Sequence, residues 1–223
     1  MAVVVAAAAA GAGANMPHLG LVGDGILANG AHAGRSTDSA SVLRQLLPDW
    51  KVSLLAVEGS TMAAMAGQLD HLSLDVDLVV LSVGGNDALK HVQLLQQPTK
   101  SSAETLDALI AMGDEFAAGY EGVVKQLRIR PARAVVCTIY EPPLVGKGTA
   151  SRARVLLTIL NDHLLRTAYR WGLDVLDLRA ICTNADDFRQ QVAPSTTGAA
   201  KIARAIAAIA AGTDGKRITV IAG

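Results

Sequence analysis

Residues 78–87 read Leu-Val-Val-Leu-Ser-Val-Gly-Gly-Asn-Asp, a nearly unbroken apolar run that stops at a turn-forming tetrapeptide. A strand with one wet face would alternate apolar and polar residues, so this run predicts a strand buried on both faces. Four runs of the same kind stand at Leu19–Val22, Val52–Val57, Ala134–Ile139 and Leu173–Leu176. Segments of helical period lie between or after them, at Thr37–Leu47, Thr61–Leu69, Ala103–Leu127, Ser151–Trp171 and Ser195–Ala211. Strand and helix alternate along the chain, which predicts a single-domain, three-layer α/β/α sandwich around a parallel five-stranded sheet.

The composition agrees with a packed core. Of 223 residues, 51% are hydrophobic, and 20 basic side chains balance 20 acidic ones. Disorder is excluded, and no Lys/Arg-rich stretch offers the footprint that nucleic acid or an anionic membrane surface requires. Aromatics at 3% leave few stacking platforms for single strands. The expected partner is a small molecule or another protein. Cys137 and Cys182 cannot build a disulfide scaffold or a four-ligand zinc site, which fits a reducing, cytoplasmic setting. No His, Cys or carboxylate cluster has metal-ligand spacing, and neither metal nor cofactor is expected. Residues 1–15 are Ala-rich, too short to span a bilayer and without the Lys or Arg that opens a secretory signal. They read as a disordered leader before a domain covering 16–223, in which Lys216–Ala222 forms a β-prone tail.

In parallel sheets covered by helices, ligands bind beyond the carboxyl ends of the strands. The residues there are Gly23-Asp24-Gly25, Glu58-Gly59-Ser60-Thr61, Gly84-Gly85-Asn86-Asp87, Tyr140-Glu141-Pro142-Pro143 and Asp177. A strand running into Gly-Asp, a second into Gly followed by Ser, and a third into Gly-Gly-Asn-Asp is similar to the SGNH (GDSL) hydrolase family, over about Leu19–Ile206. The resemblance implies a flavodoxin-like sandwich that cleaves esters with a Ser-His-Asp triad. It also implies an oxyanion hole made by the backbone N–H groups at positions 25 and 59 and the side chain of Asn86.

The triad positions depart from that pattern. Gly25 stands where the resemblance places the nucleophilic Ser, and in Gln190-Gln191-Val192-Ala193-Pro194 the Asp and His positions read Gln190 and Ala193. Acyl transfer needs a nucleophile, a base and a group orienting the base, and these three residues supply none of them. Three departures together read as natural divergence, whereas an engineered change would account for Gly25 alone. Two outcomes follow: a degenerate or repurposed enzyme that polarises a carbonyl with Gly25, Gly59 and Asn86, or a pseudoenzyme that binds an acyl or carboxylate ligand or a protein partner. For the first, Asp24, Glu58 and Glu141 are the candidate proton carriers, with Glu58 and Glu141 expected to face the crevice. The plainer roles are a loop-shaping carboxylate for Asp24, surface acids for Glu58 and Glu141, and turn chemistry for Asn86.

Among the histidines, His32 and His91 follow strand ends, His18 precedes the first strand, His71 follows a helix and His163 lies within one. None is expected to be catalytic, and Cys137 and Cys182 read as buried small hydrophobes. Gly23 to Ala28 also satisfies the dinucleotide pattern GxGxxG/A, with Glu58 as a ribose-binding acid. The helix, however, should open at the second Gly, and the following residues read as loop. Gly146-Lys147-Gly148-Thr149 resembles a phosphate loop only in part.

Overall fold

The computed structural model of the protein describes residues 16–28, 39–144, 147–190 and 192–213. The apolar runs form β1 (His18–Gly23), β2 (Lys51–Leu54), β3 (Leu78–Ser82), β4 (Arg133–Cys137) and β5 (Asp174–Leu176). They join in one sheet of five strands, in the order β2-β1-β3-β4-β5. All pairings are parallel, with Leu19 opposite both Val52 and Leu78, Val80 opposite Val135, and Val136 opposite Val175. The chain leaves β1 for β2 on one side and returns to β3 on the other, so a crevice opens at the carboxyl ends of β1 and β3. Every residue of β1 and β3 is buried, as unbroken apolar runs require.

Helices cover both faces: α1 (Ser39–Leu46), α2 (Met65–Asp70), α3 (Gly85–Lys90), α4 (Ser102–Arg128), α5 (Lys147–Arg170), α6 (Leu178–Ile181) and α7 (Thr196–Ala210). Val22, Val79, Leu81 and Val136 pack with Leu69 of α2, Phe116 and Val124 of α4, and Leu160 and Leu164 of α5. Their neighbours along the strands, Leu21, Val80 and Val135, point the other way onto Leu43 of α1 and Ile202 and Ile206 of α7. The result is the α/β/α sandwich expected from the alternation. A two-stranded antiparallel ribbon, β6 (Phe188–Arg189) and β7 (Ala193–Pro194), precedes α7.

Local signals set the helix starts. Ser101 accepts from the Glu104 N–H ahead of α4, and Ser195 accepts from the Gly198 N–H ahead of α7. His163 of α5 sits over Gly113 of α4, where a Cβ would stand 2.6 Å from the imidazole. Small Gly113 thus lets the two long helices cross closely.

Some expectations are corrected. Gly85-Asn86-Asp87 opens α3 instead of forming a plain turn, and Gly84, left-handed at φ of 119°, turns the chain between β3 and the helix. The Thr61–Leu69 segment divides into a 3-10 turn at Met62–Ala64 and α2. His18 opens β1 and does not precede it, and α5 begins at Lys147, ahead of Ser151. The leader 1–15, the tail Lys216–Ala222 and His32 lie outside the described residues. Among the described residues no helix is long and apolar enough to cross a membrane.

Candidate functional site

β1 ends at Gly23 with φ of 135°, where a Cβ would stand 1.9 Å from the Ser82 carbonyl oxygen. Only glycine lets the end of β1 turn that close to β3. Asp24 then folds into the space behind the turn. Its N–H donates to the Ser82 carbonyl at 2.9 Å, while its Oδ1 accepts from the Ile26 N–H at 3.1 Å and the Ser82 hydroxyl at 3.2 Å. Asp24 is only 2% exposed. Burial raises its carboxyl to about 7, against the pull of those bonds and with a small push from the neighbouring Asp87.

The second loop is tied to the first by Gln68, a buried residue of α2. Its Oε1 accepts from the Gly23 N–H at 2.7 Å, and its Nε2 donates to the Gly23 carbonyl at 2.9 Å and to Ser60 Oγ at 3.0 Å. Gly59 adopts φ of 78°, a left-handed conformation with nothing within 4 Å of a Cβ placed there. Glycine is needed there for the backbone and not for space.

The third loop is tied to the second. Asn86 Nδ2 donates to the Ser60 carbonyl at 2.9 Å, which uses one of its two N–H groups. Asp87 Oδ2 accepts from the Met62 N–H at 3.0 Å, and its Oδ1 accepts from Lys90 Nζ at 3.1 Å. On the other side, Asn161 of α5 grips the end of β4, donating to the Ile139 carbonyl and accepting from its N–H, both at 2.8 Å. Tyr140 Oη donates to the Val192 carbonyl at 2.6 Å, and its ring meets Phe188 edge-on. The β6–β7 ribbon is thereby pinned over the strand ends.

Between these walls lies a cavity of about 210 Å³. Asp24, Gly25, Glu58, Gly59 and Asn86 border it together, so the structure gathers five of the predicted residues in one place. The remaining lining is mostly apolar, including Ile139, Leu156, Leu157, Val192 and Ala193. Glu141 corrects the expectation that it faces the crevice. It is absent from the lining and pairs with Arg154 at 3.0 Å on the exterior, because the proline-rich turn after β4 sends its side chain outward. Gln190 also stays outside, exposed in the ribbon's turn at φ of 48°. Asp177 caps α6 and binds Arg179 and Thr138. His91 ends α3 away from the cavity wall.

Gln68, Ser82, Tyr140 and Asn161 were not foreseen as supports of the site. For Gln68 and Asn161 a signal existed, since each is a polar residue in the apolar stripe of its helix. Among the described residues 25–28 the chain makes a turn and no helix opens at the second Gly, where the dinucleotide pattern needs a helix terminus. Both cysteines are buried, and burial pushes the Cys182 thiol up to about 11 and that of Cys137 higher still. Among the described residues no group of His, Cys and carboxylates could hold a metal.

Residues 21–214 match the GDSL-like lipase/acylhydrolase family. The chain belongs to that family. Solved structures with the same fold include phospholipase A1 from Streptomyces albidoflavus, at 16% identity and a TM-score of 0.65 over 84% of this chain and 96% of that one. The lipase/acylhydrolase from Enterococcus faecalis is 18% identical, with a TM-score of 0.64 over 88% and 96% of the two chains. An alpha/beta hydrolase enzyme from the metagenome of Lake Arreo is 20% identical, with a TM-score of 0.63 over 89% and 96%. No curated protein matches the sequence. In this GDSL-family chain the cavity lies where the strand-end motifs converge, and at positions 25 and 193 its wall carries no side chain larger than a methyl group.

Proposed function

We propose that this GDSL-family chain binds an acyl or carboxylate ligand in the strand-end cavity and does not hydrolyse esters there through an acyl-serine. The observation that carries this reading is the common border of Gly25, Gly59 and Asn86 on one apolar cavity with Ala193 in its wall. Hydrogen-bond donors around a carbonyl or carboxylate oxygen remain useful for binding after the nucleophile is gone. The similarity to lipases and a phospholipase supports an acyl group as the occupant. Removing a triad costs roughly 10⁶ in turnover.

A repurposed enzyme is the second reading, favoured by Asp24. A buried carboxyl beside the cavity that titrates at about 7 is suited to moving a proton near neutral pH.

The test titrates the protein with dodecanoate and assays short-chain aryl esters. Dodecanoate is expected to raise Tm by mass action, and Asn86→Ala is expected to weaken that effect. The rebuilt chain with Gly25→Ser, Gln190→Asp and Ala193→His is expected to gain aryl-ester turnover by at least about a hundredfold. A Ser Cβ at position 25 meets nothing nearer than the Glu58 side chain, at 3.4 Å. Failure of dodecanoate to bind would overturn the reading, as would wild-type ester turnover that Asn86→Ala abolishes.

A further inference from the structure

A second constellation lies at the opposite, amino-terminal end of the sheet. His18 opens β1 and is 1% exposed. Its Nδ1 stands 2.8 Å from Asp75 Oδ1 and its Nε2 stands 2.8 Å from Ser53 Oγ. An ionised carboxylate can only accept, so Nδ1 carries the ring proton, Nε2 is the acceptor, and the Ser53 hydroxyl donates to it. This is the hydrogen-bond order by which a histidine activates a serine and an aspartate holds the histidine. Asp75 is held well below the usual carboxylate range by hydrogen bonds from Ser73 and His18, with the charge of Lys51 also in reach at 3.4 Å.

The fold fixes this trio from three directions. The β1–β2 register places His18 opposite Lys51 and Gly20 opposite Ser53, so His18 and Ser53 project from the same face of adjacent strands. The loop before β3 is locked to His18, whose N–H donates to Asp77 Oδ2 at 2.8 Å and whose carbonyl accepts from the Asp77 N–H at 2.9 Å. Ser53 is partly exposed on β2, the outermost strand of the sheet. Lys51 and Leu55 direct their N–H groups to the carbonyls of Pro17 and Leu21, while the Val52 carbonyl faces outward and accepts from Arg44. Alternation therefore turns the N–H of Leu54, the residue after Ser53, out from the sheet's edge. A donor on the residue after a nucleophile is a common oxyanion partner.

We propose that Ser53, His18 and Asp75 form a second nucleophilic site, independent of the strand-end cavity, that accepts small activated acyl esters. The substrate class follows from the surroundings. Ser53 does not border the strand-end cavity and is partly exposed on the edge strand, so a short acyl group with a good leaving group fits and a long chain gains nothing. Ser53 Oγ attacks the ester carbonyl as its proton passes to His18 Nε2. The carbon–oxygen bond to the leaving group breaks, the departing alkoxide takes that proton, and an acyl-Ser53 ester remains. Water then attacks this ester, gives a proton to Nε2, and releases the carboxylic acid as that proton returns to Ser53 Oγ.

The test exposes the folded, full-length protein to a fluorophosphonate, which loses fluoride on phosphonylating an activated serine, and maps the adduct by mass spectrometry. The expected result is one adduct on Ser53, formed at least tenfold more slowly in Asp75→Asn. Hydrolysis of p-nitrophenyl acetate is expected to fall at least tenfold in Ser53→Ala, and an adduct mapped to Ser53 separates this site from the cavity, which Ser53 does not border. Absence of an adduct on Ser53 in the wild-type protein would overturn the proposal, whether or not Ser53→Ala folds. A labelling rate that is the same in Asp75→Asn would also overturn it, since a purely structural histidine predicts that.

Discussion

Asp24 shows how one residue can be read from the sequence as a loop-shaping carboxylate, as its bond from the Ile26 N–H fits, while its titration is set by the fold. Its place after β1 marked it for the site, but its burial and the paired Ile26 and Ser82 bonds emerge only from the packed loops. Its carboxyl titrates at about 7 in the fold and near 4 in the unfolded chain. The folded state therefore holds this proton more tightly, and the stability it contributes is complete below about pH 4 and lost as pH rises to about 7. Urea titrations across that window are expected to show a shallower decline for Asp24→Asn, which keeps an acceptor for Ile26 and Ser82 and has nothing to ionise. Equal slopes for both proteins would refute the assignment. Glu58 and Glu141 make the converse point. Both follow strands, yet one borders the cavity and the other pairs with Arg154 outside, a difference of backbone direction that residue type does not encode.

Elements position the cavity through side chains that bind backbone. Asn161 reaches from α5 to both backbone groups of Ile139, holding the wall where β4 gives way to Tyr140. Asn161→Ala leaves a buried N–H and carbonyl without partners, a loss of roughly 2–4 kcal/mol. Urea unfolding is expected to show that loss as a lower midpoint with the slope unchanged. Helix and strand locations were legible because apolar period is a local property of the chain. The start of α3 and the β6–β7 ribbon were not, since short elements carry little periodicity and form because longer ones pin their ends. Tyr140 holding Val192 is such a pin.

At the scale of the molecule, the sheet separates two apolar layers that, among the described residues, share no buried residue. Leu164→Ala on one side and Ile202→Ala on the other are each expected to cost roughly 2–5 kcal/mol. Combined, the two losses should sum to within about 0.5 kcal/mol, and a larger deviation in the double variant would show that the layers are coupled through the sheet. The sequence by itself determined the sandwich, the end of the sheet where the strand motifs gather, and the lack of a serine at position 25. Apolar runs, glycine punctuation and residue identity carry that information locally. Only the tertiary structure decided which acids face the cavity, which amides brace it, and that His18, Ser53 and Asp75 meet. Those residues are far apart along the chain, and strand register together with loop docking brings them within hydrogen-bond distance.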